Sequence, residues 1–147
     1  MTREALIEIF ERDLNKLLVE IESYEDEKKL WAVKDGIKNS AGNLCLHLMG
    51  NLNHFIGAVL GKTGYERSRE LEFSLKNIPR STLIKNIEST KLVVENTLSN
   101  LTAADFDKTY AIEVFNKSMT TGFMLIHLAT HLSYHLGQIN YHRRLVV

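Results

Sequence analysis

The sequence has little cysteine, little proline and no long hydrophobic run. Its one cysteine, Cys45, has no second cysteine with which to form an internal disulfide, so nothing in the chain calls for an oxidising compartment. No uninterrupted apolar stretch approaches the roughly 20 residues that a membrane-spanning helix needs. The first residues of the sequence include several charged side chains and lack the apolar core of a signal peptide. We therefore expect a cytoplasmic protein with no membrane partner.

Neither sign of charge is in excess, since 18 Lys and Arg residues balance 18 Asp and Glu residues. Binding to nucleic acid or to an anionic membrane calls for clustered excess Lys and Arg, so we expect neither partner. The length of 147 residues predicts one domain, residues 1–147. The single proline and the scarcity of alternating β-branched runs predict an all-α protein.

Apolar side chains recur with the period of half-buried helices in four segments. The predicted helices span approximately residues 2–23, 40–60, 80–101 and 118–143. Residues 61–79, between the second and third helices, exceed the usual 2–8 residues of a bundle connection. We therefore predict a four-helix bundle with one long crossover connection between helices two and three.

The remaining connections and faces give further predictions. Leu30 and Trp31 are expected to anchor the first connection to the core. Residues 108–115 alternate in polarity, which predicts a short strand or an extended flap. The third predicted helix is expected to turn one face inward, formed by Leu83, Ile84, Ile87, Leu92, Val93 and Leu98.

Three histidines of the fourth predicted helix, His127, His131 and His135, are spaced four residues apart. Residues at this spacing share one helix face, with Cβ atoms about 5–6 Å apart. Two such imidazoles can bind one ion at about 2.0–2.1 Å from each nitrogen. His47 on the second predicted helix is a candidate third donor. The spacing alone leaves open which two histidines of the fourth helix would bind.

Helical wheels place these histidines beside apolar stripes. On the fourth helix the histidine row adjoins a stripe of leucines, so the imidazoles are expected to be partly buried, where unpaired nitrogens are costly. On the second helix, Asn51 and His54 share the sector of His47. If the two polar seams face each other, they enclose a pocket. The competing interpretation is a structural bundle whose histidines are satisfied within the core.

Other catalytic patterns are absent from the sequence. There is no Glu-x-x-His of a di-iron bundle, no His-Glu-x-x-His of a zinc protease and no glycine-rich phosphate loop. No carboxylate falls in the histidine sector of either helix, so the sequence identifies no general base. Cys45 lies on the leucine side of the second helix and is expected to be a buried, inert thiol.

Two segments taken together resemble the DinB/YfiT-like superfamily of metalloenzymes. The first is Ser40-Ala-Gly-Asn-Leu-Cys-Leu-His-Leu-Met-Gly-Asn-Leu, and the second is His131-Leu-Ser-Tyr-His-Leu-Gly-Gln. The similarity covers nearly the whole chain in order, including the four helices and the long second connection. It implies a four-helix bundle, commonly a homodimer, that holds a divalent metal ion on three histidines, here zinc or nickel.

By this resemblance, the metal ligands of the superfamily correspond to His47, His131 and His135. The Gly-Gln that follows His135 sets this register and leaves His127 outside the site. Many members have adjacent histidines and an arginine before Gly-Gln, whereas this chain has Tyr134, His135 and Leu136. Any role of that second histidine and of the arginine is therefore not transferred.

Characterised members of the superfamily include thiol-dependent transferases and isomerases. The resemblance therefore implies a metal-dependent enzyme, an S-transferase or a related activity, acting on a small-molecule thiol or electrophile. The alternative is a dimeric metal- or ligand-binding bundle without turnover. Asn51, His54 and Gln138 are candidates to orient the ligands or a bound water.

Two more groups of residues complete the predictions. Three crossover residues are candidates to hold an anionic substrate, although we expect solvated loop charges there: Tyr65, Arg67 and Arg69. Four apolar or aromatic residues of the fourth helix lie away from its leucine stripe: Phe123, Ile126, Tyr134 and Tyr141. One core cannot cover the second group, so it predicts a homodimer interface.

Overall fold

The computed structural model describes residues 2–146, so the terminal residues 1 and 147 of the predicted domain lie outside the described range. Within that range the chain is all-helical, as predicted, with two isolated β-bridges and no strand. The α-helices are α1 (Arg3–Glu22), α2 (Ala41–Leu52), α3 (Arg69–Ser74), α4 (Arg80–Ser99), α5 (Ala103–Asp107) and α6 (Thr121–Leu145). The 3-10 helix Glu27–Trp31 follows α1, and the π-helical segment Asn53–Ala58 extends α2.

Side-chain caps fix the starts of the main helices. The hydroxyl of Thr2 accepts a hydrogen bond from the amide of Ala5 at the start of α1. Ser40 caps α2 and Thr120 caps α6 in the same way. Each cap satisfies one of the amides that have no partner in the first turn. α1, α4 and α6 correspond to the first, third and fourth predicted helices, with ends that agree to about one turn.

Four long helices surround the core. α1 packs against α4 and α6, and α2 packs against the same two helices. The buried apolar side chains of all four belong to one cluster, to which Phe10, Leu48, Ile87 and Leu132 contribute. No helix between residues 2 and 146 has the length and apolarity to cross a membrane.

The inner face of α4 differs from the predicted one at Leu92. Leu83, Ile87 and Leu98 are fully buried, but Leu92 is 60% exposed and Val94 is buried. At 100° per residue, Leu92 lies about 180° from Leu83, whereas Val94 lies within about 20° of it. The prediction for Leu92 was therefore wrong, because it followed hydrophobicity rather than angular position.

The connection before α6 is an extended loop and not a strand. α5 occupies its start, and the amide of Tyr110 then donates to the carbonyl of Met119 at 2.8 Å. The bridges Thr109–Thr120 and Val114–Lys117 are isolated. The buried side chain of Tyr110 donates from its hydroxyl to the carbonyl of Phe55 at 2.6 Å, which fixes this loop to the π-helical segment.

Two other connections are fixed to α2. Leu30 and Trp31 are buried, as predicted, and the Trp31 ring lies where a side chain at Gly42 would stand. The connection over residues 61–79, for which the name crossover is kept, contains the unpredicted helix α3. The side-chain amide of Asn43 donates to the carbonyls of Glu72 at 2.9 Å and Leu75 at 2.8 Å, so the crossover is held against the first turn of α2.

Candidate metal centre

Three histidines from two helices meet on one side of the core. His47 of α2 and His131 and His135 of α6 each offer one nitrogen, and these nitrogens all lie within 4.8 Å of one another. The two Nε2 atoms of His47 and His131 are 3.2 Å apart. His47 is buried and the other two are half-buried. The polar seams of the two helices therefore face each other at this point.

Acceptors on two of the histidines determine which nitrogen carries the proton. His47 Nδ1 lies 3.0 Å from Glu72 Oε1, and His135 Nδ1 lies 2.7 Å from Gln138 Oε1. A carboxylate or an amide oxygen only accepts, so both Nδ1 atoms carry a proton and donate it. Arg67 Nη2 also lies near His47 Nδ1, but at 3.4 Å it is farther away than the carboxylate oxygen at 3.0 Å, and the shorter contact sets the assignment. Nε2 of each ring then presents a lone pair. His131 Nδ1 is buried without a hydrogen-bond partner in residues 2–146, whereas His131 Nε2 lies 3.2 Å from the Nε2 lone pair of His47 and donates to it in the metal-free protein.

The surroundings keep the half-buried histidines neutral. Burial lowers the pKa of His131 to about 4, with smaller contributions from His135 and His47. Burial also lowers the pKa of His135, while the hydrogen bond with Gln138 acts in the opposite direction. Neutral imidazole is the form that binds a metal ion, and both rings hold this form at neutral pH.

The donor set fits a divalent ion. A tetrahedral site with bonds of 2.0–2.1 Å places neighbouring donors about 3.3–3.4 Å apart. The Nε2 atoms of His47 and His131 are 3.2 Å apart, close to this value, and all three donor nitrogens lie within 4.8 Å of one another. Three imidazole nitrogens with an open fourth position are a familiar donor set for a catalytic metal ion.

Glu72 is a site residue that the sequence did not indicate. This buried carboxylate comes from α3 in the crossover and contacts His47 and Arg67. Burial raises its pKa, but hydrogen bonds with His47 and Arg67 outweigh that effect and keep the pKa below its ordinary value. The helical wheels place no carboxylate in the histidine sector of α2 or α6, and Glu72 comes from α3, a segment that those wheels did not include.

Arg67 is also not the solvated loop charge that we expected. Its side chain is 12% exposed and forms two hydrogen bonds with Glu72, from Nε at 2.9 Å and from Nη2 at 3.0 Å. Its guanidinium lies 5.8 Å from the centre of the Phe55 ring. Tyr65 and Arg69 are exposed, in keeping with the prediction. Arg67 is therefore committed to Glu72 rather than free for a substrate anion.

The three residues predicted to orient ligands differ in their surroundings. Gln138 bonds to His135, as described above. Asn51 is buried, and its Oδ1 has no hydrogen-bond partner in the described part of the chain. His54 is half-buried against Phe55, with ring centres 4.7 Å apart. It lies beyond the start of the π-helical segment, where a wheel with constant 100° steps no longer gives side-chain direction.

Two further histidines of α6 have different partners. His127 packs edge-on against Phe115, with ring centres 5.0 Å apart, and it does not belong to the three-histidine cluster. His142 is buried and fully paired, with Nδ1 2.7 Å from the Tyr24 hydroxyl and Nε2 2.8 Å from the Ala32 carbonyl. Neither ring therefore contributes a donor to the cluster.

Cys45 behaves as the sequence predicted. It is fully buried, and burial raises its pKa to about 12. The thiol therefore stays protonated and is not a candidate nucleophile. A cavity of about 310 Å³ is lined by Gln138, Lys38, Leu44 and Tyr141, but its lining includes none of the three histidines of the cluster.

The sequence profile of a family described as protein of unknown function (DUF1572) matches residues 2–147. The chain belongs to this family. The match covers every residue of the three-histidine cluster and of the crossover that supplies Glu72. No curated protein matches the DUF1572 chain.

Proposed function

We propose that this DUF1572 chain is a metal-dependent enzyme of the DinB/YfiT-like superfamily, with a divalent ion held by His47, His131 and His135. The observation that carries the proposal is the cluster itself, whose three donor nitrogens lie within 4.8 Å of one another. The proposed architecture is a four-helix bundle of α1, α2, α4 and α6, forming a single domain over residues 1–147. The shared core of these helices and the long connection over residues 61–79 support it.

The proposed chemistry is thiol transfer or a related reaction between a small thiol and an electrophile. A divalent ion on three neutral imidazoles keeps its full charge and lowers the pKa of a bound thiol or water. His47 and His135 present Nε2 lone pairs because Glu72 and Gln138 hold their Nδ1 protons. Both oxygens of Glu72 are occupied by His47 and Arg67, so Glu72 is not free to take a proton from a substrate. A thiol suits such a site because it ionises more readily than water.

The occupied state of Glu72 also supports a second candidate, a metal- or ligand-binding bundle without turnover. No other carboxylate hydrogen-bonds to the three histidines in residues 2–146. A centre without a free general base can hold an ion and still lack hydrolytic activity. Turnover with a thiol is the measurement that separates the two candidates.

The proposal includes a homodimer formed through α6. Four of its large apolar side chains are 42–65% exposed in the single chain: Phe123, Ile126, Tyr134 and Tyr141. An apolar face of this kind is typical of an interface. We expect light scattering at micromolar concentration to give the mass of two chains. A monomer at that concentration would contradict this part of the proposal.

The proposed function is tested in two steps. The purified protein is first analysed for bound metal, and we expect about one divalent ion per chain, zinc or nickel. The metal-loaded protein is then incubated with several small thiols and a model electrophile, beside His135→Ala as the control. Faster reaction with the wild type supports the enzyme. Equal rates for both forms leave the binding protein. Absence of bound metal contradicts the enzyme and leaves only a bundle that binds another ligand.

A further inference from the structure

We infer that Glu72 is a positioning residue of the centre, which holds His47 in the tautomer that binds a metal ion. The inference rests on the proposed function, since it concerns the same ion. It goes further by assigning the crossover a direct part in the site. A carboxylate from a connection between helices thereby determines how strongly the helices bind the ion.

The contact between Glu72 and His47 is a hydrogen bond between two buried side chains. Glu72 Oε1 accepts from His47 Nδ1 at 3.0 Å, and the two side chains are 7% and 9% exposed. A carboxylate that accepts from the non-binding nitrogen fixes the orientation of the ring and makes the other nitrogen a better donor to a metal ion. His47 Nε2, the atom so affected, is the one that faces His131.

Arg67 keeps this carboxylate charged. A buried carboxylate without a cation would favour its neutral form, and a neutral acid would orient His47 less strongly. The guanidinium binds both oxygens of Glu72, at 2.9 Å and 3.0 Å. The order of contacts is therefore Arg67 to Glu72 to His47, a chain of charge-assisted hydrogen bonds.

Gly50 makes the room that Glu72 occupies. A Cβ atom at this position would overlap Glu72 Oε2, so any side chain at position 50 would displace the carboxylate from its observed position. Glycine in the interior of a helix lowers helix stability. Here α2 carries one three residues after His47, at the point where the carboxylate approaches the helix. Gly50 and Arg67 therefore both support the contact between Glu72 and His47.

The backbone around Glu72 is held as well. Asn43, one turn before His47 on α2, donates to the carbonyls of Glu72 and Leu75. The Phe73 ring lies against His47, with ring centres 4.9 Å apart. α2 therefore fixes both the backbone and the carboxylate of the segment that orients its own histidine.

The first test needs no substitution. In metal-free wild-type protein, we expect the ¹⁵N shifts of His47 to show a protonated Nδ1 and an unprotonated Nε2. A neutral Glu72 acid that donated to His47 Nδ1 would give the opposite pattern, with the ring proton on Nε2. If His47 is found with the proton on Nε2, the inference is overturned.

The second test measures affinity for Zn²⁺ alone. Glu72→Gln removes the charge and keeps the shape, and we expect its dissociation constant to rise about 10–100-fold. Glu70→Gln is the matched control, because this substitution makes the same chemical change at an exposed position of α3. An unchanged dissociation constant for Glu72→Gln overturns the inference.

Two other variants keep the test valid if Glu72→Gln unfolds. Arg67→Met with Glu72→Leu removes both charges together, so neither is left buried alone, and we expect the same rise in the dissociation constant. Gly50→Ala places a methyl group against the carboxylate, while Gly137→Ala, with nothing within 4 Å of the added atom, is its control. Wild-type affinity in either test variant, with circular dichroism showing a folded chain, counts against the inference.

The outcomes separate this inference from the proposed function. If wild-type protein binds neither Zn²⁺ nor Ni²⁺, the proposed function fails, while the ¹⁵N shifts still decide the role of Glu72 in orienting His47. If wild type and Glu72→Gln bind Zn²⁺ equally, the inference fails and the proposed metal centre stands.

Discussion

Two histidines on the same helix show how partners decide what an imidazole does. His131 and His142 are both on α6, and burial lowers the pKa of both. His142 has an oxygen partner on each nitrogen, Tyr24 on one side and Ala32 on the other. His131 has an unpaired Nδ1, and its Nε2 faces the Nε2 of another histidine.

The difference separates a core histidine from a candidate ligand. The nitrogens of His142 are used within the fold, so this ring contributes to stability and has no lone pair left for an ion. The Nε2 of His131 lies 3.2 Å from the Nε2 of His47, so a single proton joins the two nitrogens in the metal-free protein, and a divalent ion bound to both can replace it. Residue type and burial alone would not distinguish the two rings.

The largest expected effect is the loss of metal binding. We expect His131→Ala to reduce the ion content from about one per chain to background, because it removes one of three donors. His142→Ala and His127→Ala should keep the ion, since neither ring belongs to the cluster. Elemental analysis of the three purified variants checks this. Equal loss from His127→Ala and His131→Ala would mean that the ligand register is wrong.

The complementary effect concerns stability. We expect His142→Ala to lower the free energy of unfolding by about 2–4 kcal/mol, because it leaves a cavity and removes the partners of Tyr24 and Ala32. Tyr24→Phe should cost about 1–3 kcal/mol, since Nδ1 of His142 then lacks its partner. Urea unfolding of metal-free protein measures both. A change below experimental error for His142→Ala would contradict the interpretation of this ring as a structural residue.

Acid should destabilise the metal-free protein through His131. The pKa of this group falls from 6.5 to about 4 on folding, so the unfolded chain binds more protons between these values. Its contribution to stability is therefore complete above about pH 6.5 and is lost as the pH falls through about 4. The expected slope is at most about 1.4 kcal/mol per pH unit. Unfolding of wild type and His131→Gln at pH 4–7 measures how the free energy of unfolding of each depends on pH. If His131 is solvated, the two proteins should show the same pH dependence.

The smallest effect is expected at Gln138. Its side chain bonds to Nδ1 of His135 but is exposed, so water can replace it. We expect Gln138→Ala to weaken Zn²⁺ binding by about 10-fold or less, the lower end for groups that orient a metal ligand. Ser133→Ala, also exposed on α6, serves as the control. A loss as large as that of His131→Ala would place Gln138 among the ligands.

The histidines of α6 were accessible to sequence reasoning because helical spacing is local information. A four-residue interval places His131 and His135 on one face wherever α6 packs. His47 followed from its own helical wheel, but its meeting with His131 depended on how two helices face each other. That contact spans 84 residues of sequence and needed the structure.

Glu72 was missed for a physical reason. It lies in a short helix within a connection, where no long periodic pattern gives side-chain direction. The available signal was Gly50, since a glycine inside a helix beside a polar seam indicates close approach of another group. Nothing in the sequence indicated the π-helical segment after α2. Because a π-helix does not advance by 100° per residue, the helical wheel no longer gave the side-chain direction at His54.

The shared space of Gly50 and Glu72 has a consequence for sequence variation in the family. A side chain at position 50 and a carboxylate at position 72 cannot both occupy this volume. We therefore expect the two positions to co-vary, so that relatives with a residue larger than glycine at 50 carry a shorter one at 72. Where such a replacement occurs, the cation corresponding to Arg67 should disappear with the carboxylate that it neutralises.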